Sequence, residues 1–308
     1  MPVNCDKTGW RWPARPWQSL DMSKKKSRTA TPPPALPGPI ADSHTHIDLV
    51  VPGWPPQEED IPGPTDDVIG TFLDEAESVG VRRVVQVATN VASAQWAADL
   101  AEHDSRVRAA VAIHPNESPL VKDLDSDLAA IDKLAALPQV VAVGESGMDF
   151  YRTEPEGRAQ QEKSFRAHIE IAKAHRKALV IHDRDAHDDV LRVLDEEGAP
   201  EKVVMHCFSG DADFARECGK RGFYMSFAGN VTFKNAPMLR EAVAVAPREL
   251  ILVETDAPFM APVPVRGATT TPQLVAYTAM FLAEHLQLDL EQWCAQLDAN
   301  TSAAFGHW

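Results

Sequence analysis

Val140-Val141-Ala142-Val143-Gly144-Glu145 opens apolar, stays apolar for four residues and ends in a carboxylate. Four other segments share that form: Ile40-Ala41-Asp42-Ser43-His44-Thr45-His46, Ala178-Leu179-Val180-Ile181-His182, Lys202-Val203-Val204-Met205-His206 and Leu250-Ile251-Leu252-Val253-Glu254-Thr255-Asp256. Short β-branched runs without clean polar alternation are the mark of strands buried on both faces. Three more runs, at 81–87, 107–113 and 223–228, bring the number to eight. Helical periodicity fills the gaps, among others at 66–79, 92–103, 160–175, 186–197, 212–221 and 235–246. Strand alternating with helix over about 250 residues predicts a (β/α)8 TIM barrel, whose active site sits at the carboxyl ends of the strands. His44, His46, Glu145, His182, His206 and Asp256 all fall at those ends.

Each of these residues has a bland reading alone: a surface histidine pair, a solvated glutamate, a hydrogen-bonded core histidine. Gathered at one end of a barrel they need a common partner, because unpaired buried imidazoles and carboxylates are costly. Four imidazoles and two carboxylates exceed one tetrahedral zinc site and suit two divalent ions with a shared ligand. Glu145, following Val141 and Val143 on the inward parity of its strand, is the expected bridge. One ion takes His44, His46 and Asp256, the other His182 and His206. Nitrogen and oxygen ligands without thiolate admit Mg, Mn, Zn or Co. Asp42 shares the parity of His44 and His46, whereas Ser43 and Thr45 are expected to face away. Arg184 shares the parity of His182 and offers a cation for an anion. His114 is read either as a phosphate contact or as a loop hydrogen bond, and Glu254 as support for a ligand.

The four cysteines are widely spaced, which argues against a disulfide framework and for a cytoplasmic setting. Cys207 is expected on the helix side of its strand, in the core. No run approaches the roughly 18 apolar residues that span a membrane. Residues 1–39 stand apart from the single barrel expected over 40–308, with Trp10, Trp12 and Trp17 among arginines and prolines, then Lys24-Lys25-Lys26. Disorder is the favoured reading; a basic arm for nucleic acid, and a natural start at Met22, are the others. This extension holds seven Lys/Arg against two Asp/Glu, leaving 23 against 43 for residues 40–308 and a net charge of −20 there. So acidic a barrel is not built to grip long duplexes through many phosphates.

Asp42-Ser43-His44-Thr45-His46, Gly144-Glu145-Ser146-Gly147-Met148-Asp149, Ile181-His182-Asp183-Arg184, His206-Cys207-Phe208-Ser209-Gly210 and Glu254-Thr255-Asp256-Ala257-Pro258 stand in the order and spacing of the TatD family. From about residue 40 to Phe305 the chain resembles these metal-dependent deoxyribonucleases of the amidohydrolase-like barrels, and residues 300–306 resemble the family's closing helix. The resemblance implies phosphodiester hydrolysis at single-stranded DNA ends, as a 3′ exonuclease, with the six ligands above at the family's metal positions. It departs where the family's His-Pro-His reads His114-Pro115-Asn116 and where an Arg-Asn pair is replaced within Arg266-Gly267-Ala268-Thr269-Thr270-Thr271-Pro272. No lysine lies in 140–149 to bridge metals in a modified form, as in many other amidohydrolases.

The expected mechanism has Asp256 taking a proton from a water activated by the two ions, while Arg184 offsets charge on the phosphoryl oxygens. Single-stranded nucleic acid ends, DNA or RNA, are the expected substrate of a monomer that needs no protein partner. The alternatives are a metallohydrolase of small amides, esters or lactones, and a non-catalytic barrel that binds other molecules.

Overall fold

The computed structural model describes residues 30–50 and 65–308. The eight strands are β1 Ile40–Thr45, β2 Val81–Val87, β3 Val107–Val111, β4 Val140–Asp149, β5 Ala178–Arg184, β6 Val203–Met205, β7 Tyr224–Phe227 and β8 Ile251–Val253. The helices are α1 Asp66–Ser78, α2 Val91–His103, α3 Leu124–Ala135, α4 Pro155–His175, α5 His187–Glu197, α6 Ala212–Lys220, α7 Pro237–Val245, α8 Val275–His285 and α9 Leu290–Phe305. Neither α3 nor α8 was named from the sequence. All strands are parallel and follow chain order, as a (β/α)8 barrel requires. No helix of the described residues is long and apolar enough to cross a membrane.

Site residues themselves close the ring. His46 N–H donates to Ala257 O and Asp256 N–H donates to His44 O, each at 2.9 Å, so the seam between β1 and the segment after β8 fixes both site strands together.

Two apolar layers hold the barrel. Val84, Val111, Val143, Ile181, Met205 and Val253 face the helices. Inside, Val85, Ala110, Ala142, Val180, Val204 and Leu252 fill the lumen, and Phe305 at the end of α9 closes its floor. Asn300 on α9 donates to Ile251 O at 2.7 Å, which ties that helix to the base of β8.

The parity expected for β4 is wrong. Ala142 lies in the inner layer and Val143 in the outer one, so plain alternation would turn Glu145 toward the helices. Val143 pairs with Leu179 but Ser146 with Ile181: three steps on β4 match two on β5, and this inserted residue swings Glu145 inward. The irregularity needs Gly144, where an added Cβ would lie 2.5 Å from Val180 Cβ.

Ser43 does not face away either. Its Oγ is 2.8 Å from Ser226 Oγ on β7, two places round the ring, a contact made on the concave side. The register shift between Asp42 and Thr45 is the reason that simple alternation fails there.

Residues 1–29, with Cys5, the three tryptophans, the lysine run and Met22, lie outside the described residues. Within the extension expected to be disordered, residues 30–39 rest against the barrel: Leu36 is buried and its N–H donates to Val79 O.

Candidate metal centre

Glu145 is the hub of the site and only 3% exposed. Its Oε1 lies 3.2 Å from His46 Nε2 and 3.9 Å from His44 Nε2. Its Oε2 lies 3.2 Å from His206 Nε2, 3.3 Å from His182 Nδ1 and 3.7 Å from His114 Nε2. One carboxylate thus offers an oxygen to each of two sets of imidazoles. Asp256 completes the cup, with Oδ1 3.7 Å from His46 Nε2. All six residues expected at the site meet there, and His114 joins them. His44, His46 and Asp256 group as expected, whereas the second set differs: His206 groups with His44 and Glu145, and His182 with His114 and Glu145.

A surrounding shell aims these rings. His46 Nδ1–H donates to Val87 O at 2.8 Å, which leaves Nε2 pointing at the hub. His206 Nδ1 meets Glu254 Oε1 at 2.9 Å, and the same oxygen accepts from Cys207 N–H. Asp42 accepts from Thr255 N–H at 2.8 Å and Thr255 Oγ1–H at 2.5 Å, holding the turn that carries Asp256. Glu254 thus lies behind His206, and Asp42 behind the turn of Asp256. His114 makes the loop hydrogen bond of one reading, its Nδ1 accepting from Asn116 N–H at 2.9 Å, while Nε2 faces Glu145.

Asp149 was missed. It is fully buried and holds His182 Nε2 at 3.1 Å, while accepting from Asn116 Nδ2–H and from Tyr151 and Arg152 N–H. The signal was present, since Glu145, Gly147 and Asp149 share parity, but it requires β4 to continue past Glu145. Gly147 lets it do so: its φ is +135°, and a Cβ there would sit 2.2 Å from His182 O. Cys207 is a correction. β6 ends at Met205, strand parity no longer applies, and Cys207 adopts φ 41° and lines the cleft, partly exposed. Burial pushes its thiol well up, which does not suit a nucleophile.

The donor set fits divalent cations. His44 and His46 Nε2 approach to 3.2 Å, so that either a proton on one ring or a cation between them must separate the two lone pairs. Among the described residues His44 Nδ1 is buried without a partner, so no second bond from them orients that ring. Protons alone would have to charge several rings. Burial opposes charge on His46 and His182, yet Glu145 for the first and Asp149 for the second raise each to about 9. Burial also opposes the Glu145 carboxylate, and the imidazoles of His114 and His206 outweigh it, holding the group well below the usual range. Burial raises Asp256 to about 6.

The cup opens into a cavity of about 790 Å³ lined by Asn116, Arg152, Arg184, Asn230, Phe233 and Arg266 among others. Arg184 stands at its wall.

Residues 41–306 match the family model of TatD-related DNases. The chain belongs to that family. The TatD metal-dependent hydrolase of Mycobacterium tuberculosis is 40% identical over 272 residues, covering 87% of this chain and 98% of the relative. YabD of Bacillus subtilis, also named a metal-dependent hydrolase, is 38% identical over 235 residues, or 76% and 91% of the two chains. The crystal structure of YjjV, a TatD homologue from Escherichia coli, superposes with a TM-score of 0.78 at 26% identity, over 87% and 98%. The TatD-type hub described above therefore lies wholly inside the matched region.

Proposed function

We propose that this metal-dependent hydrolase of TatD type cleaves phosphodiester bonds at the ends of single-stranded DNA, working from the 3′ end. The observation that carries the reading is Glu145, whose two oxygens each face a separate set of imidazoles. His44, His46 and Asp256 would hold one cation, and His182 and His206 the other, with His114 at the edge of the second set. Bound divalent ions supply Lewis acidity and a water acidic enough to react near neutral pH.

The chain's own residues do the rest. Asp256, at the open side of the cup, takes the proton of the attacking water as its oxygen bonds to phosphorus and the bond to the leaving sugar oxygen breaks. Arg184 binds a non-bridging phosphoryl oxygen and offsets the charge that grows there. Asp149, Glu254 and Val87 O hold three imidazoles at fixed angles, so that no reorganisation is needed during reaction. Recognition of a strand end reconciles this chemistry with an acidic barrel, because the phosphate is bound locally. The reading includes a cytoplasmic monomer.

The test is hydrolysis of 5′-labelled single-stranded DNA with added Mg or Mn, a chelator control and the Asp256→Asn variant. Metal-dependent shortening lost in the variant supports the reading. Turnover of small esters or amides with intact DNA replaces it with the small-molecule alternative.

A further inference from the structure

Two arginines at the cavity, one of them the proposed phosphate contact, lie on aromatic rings, a stacking that the proposed chemistry does not use. Arg184, at the end of β5, lies with its guanidinium carbon 3.9 Å from the ring centre of Tyr151, which follows β4. Arg266, in the segment after β8, lies 3.7 Å from the ring centre of Phe233, which follows β7. One stack stands on the β4–β5 side of the ring and the other on the β7–β8 side, and Arg184, Phe233 and Arg266 line the same cavity.

Like Arg152, which lines the same cavity, these arginines stand outside the ion pairs among the described residues. The chain has 45 acidic residues for 30 basic ones, and Arg106, Arg166, Arg192 and Arg221 are each tied to carboxylates. Among the described residues no carboxylate pairs with Arg184 or Arg266. In so acidic a protein, cations left unneutralised beside a cavity need an anion to justify their place. The rings also leave apolar surface uncovered, Tyr151 being 66% exposed.

A guanidinium laid on a ring has lost its rotational freedom already, and it keeps an edge of N–H donors for phosphate and an outer face for a base. We propose that Arg184 with Tyr151 and Arg266 with Phe233 form two platforms that grip the nucleotides flanking the scissile phosphate of a single strand. Bases inside a duplex have no free faces to stack, and the acidic surface repels a long duplex, so the platforms select unpaired ends. This assignment rests on the phosphodiesterase reading and names its substrate subsites.

The experiment has two arms. In chelator, fluorescence polarisation measures binding of 5′-fluorescein oligothymidylates, from dinucleotide to octanucleotide, to wild type, Arg266→Gln, Phe233→Leu and Tyr151→Leu. With metal, kcat and KM are measured on the same octanucleotide and on bis(p-nitrophenyl) phosphate, a diester too small to span the mouth. Each variant is expected to bind the octanucleotide about tenfold more weakly and to raise its KM likewise, and Arg266→Gln and Phe233→Leu to keep kcat within about twofold and leave the small diester unaffected. Unchanged oligonucleotide binding, or equal damage to both substrates in those two variants, overturns the platforms. If wild type hydrolyses neither diester, the phosphodiesterase reading falls and takes this proposal with it.

Discussion

The lower and upper halves of the barrel lumen are lined by the same strands and obey opposite rules. Below, Val85, Ala110, Ala142, Val180, Val204 and Leu252 meet the floor made by Phe305. Above, five imidazoles and the carboxylates of Glu145 and Asp256 crowd one point. The lower half stabilises the fold by removing apolar surface from water. The upper half costs stability until cations neutralise it, because desolvated charges and facing lone pairs have no solvent to relieve them. The contrast teaches that one half is there to fold and the other to react.

The sharpest way to break that division is Glu145→Gln. It should abolish turnover in a protein that remains folded by circular dichroism; wild-type activity would remove Glu145 from its role. His182→Asn should do the same. Phe305→Ala strikes the other half, with an expected loss of about 3–5 kcal/mol in denaturant unfolding and unchanged turnover per folded molecule. Lost turnover in a folded Phe305→Ala protein would mean that floor and site are coupled.

A third probe sits behind β4. Buried His168 accepts from Ile113 N–H through Nε2 and is held to about 4 by burial, against 6.5 when free. The unfolded chain therefore binds the extra proton first as pH falls. Stability is fully present above pH 6.5 and declines by about 3 kcal/mol as pH drops toward 4. His168→Gln should flatten that decline in urea melts at a series of pH values; an unchanged slope would assign it elsewhere.

The smallest effect belongs on the outer surface. Glu162 on α4 pairs with Arg166 and with Arg192 of α5, and these side chains are partly exposed. Glu162→Gln should cost less than about 1 kcal/mol and leave turnover unchanged. A larger loss would show that surface charge, as well as the lumen, carries stability.

The sequence announced the strands because burial on both faces leaves an unbroken apolar run, and it announced the ligands because each run ends in one. Register was hidden. Glu145 faces inward only through the inserted residue beside Gly144, and the alternation that predicted its direction would, from the true position of Val143, have predicted the reverse. Asp149 escaped for the same reason: a strand that bends through Gly144 and Gly147 does not look continuous in a pattern of side chains. Cys207 shows the complementary error, with parity applied beyond the end of a strand. Local pattern reads composition well, but pairing between strands decides which way a residue points.

The central claim is that the buried imidazole and carboxylate cup is completed by divalent cations. Its most direct test is elemental analysis of wild type and Glu145→Gln after stripping with chelator, supplementation with Mn or Zn and gel filtration. The account predicts more than one ion per wild-type chain and a clear loss in the variant. Fewer than one ion per chain in wild type, or equal content in both proteins, would contradict it.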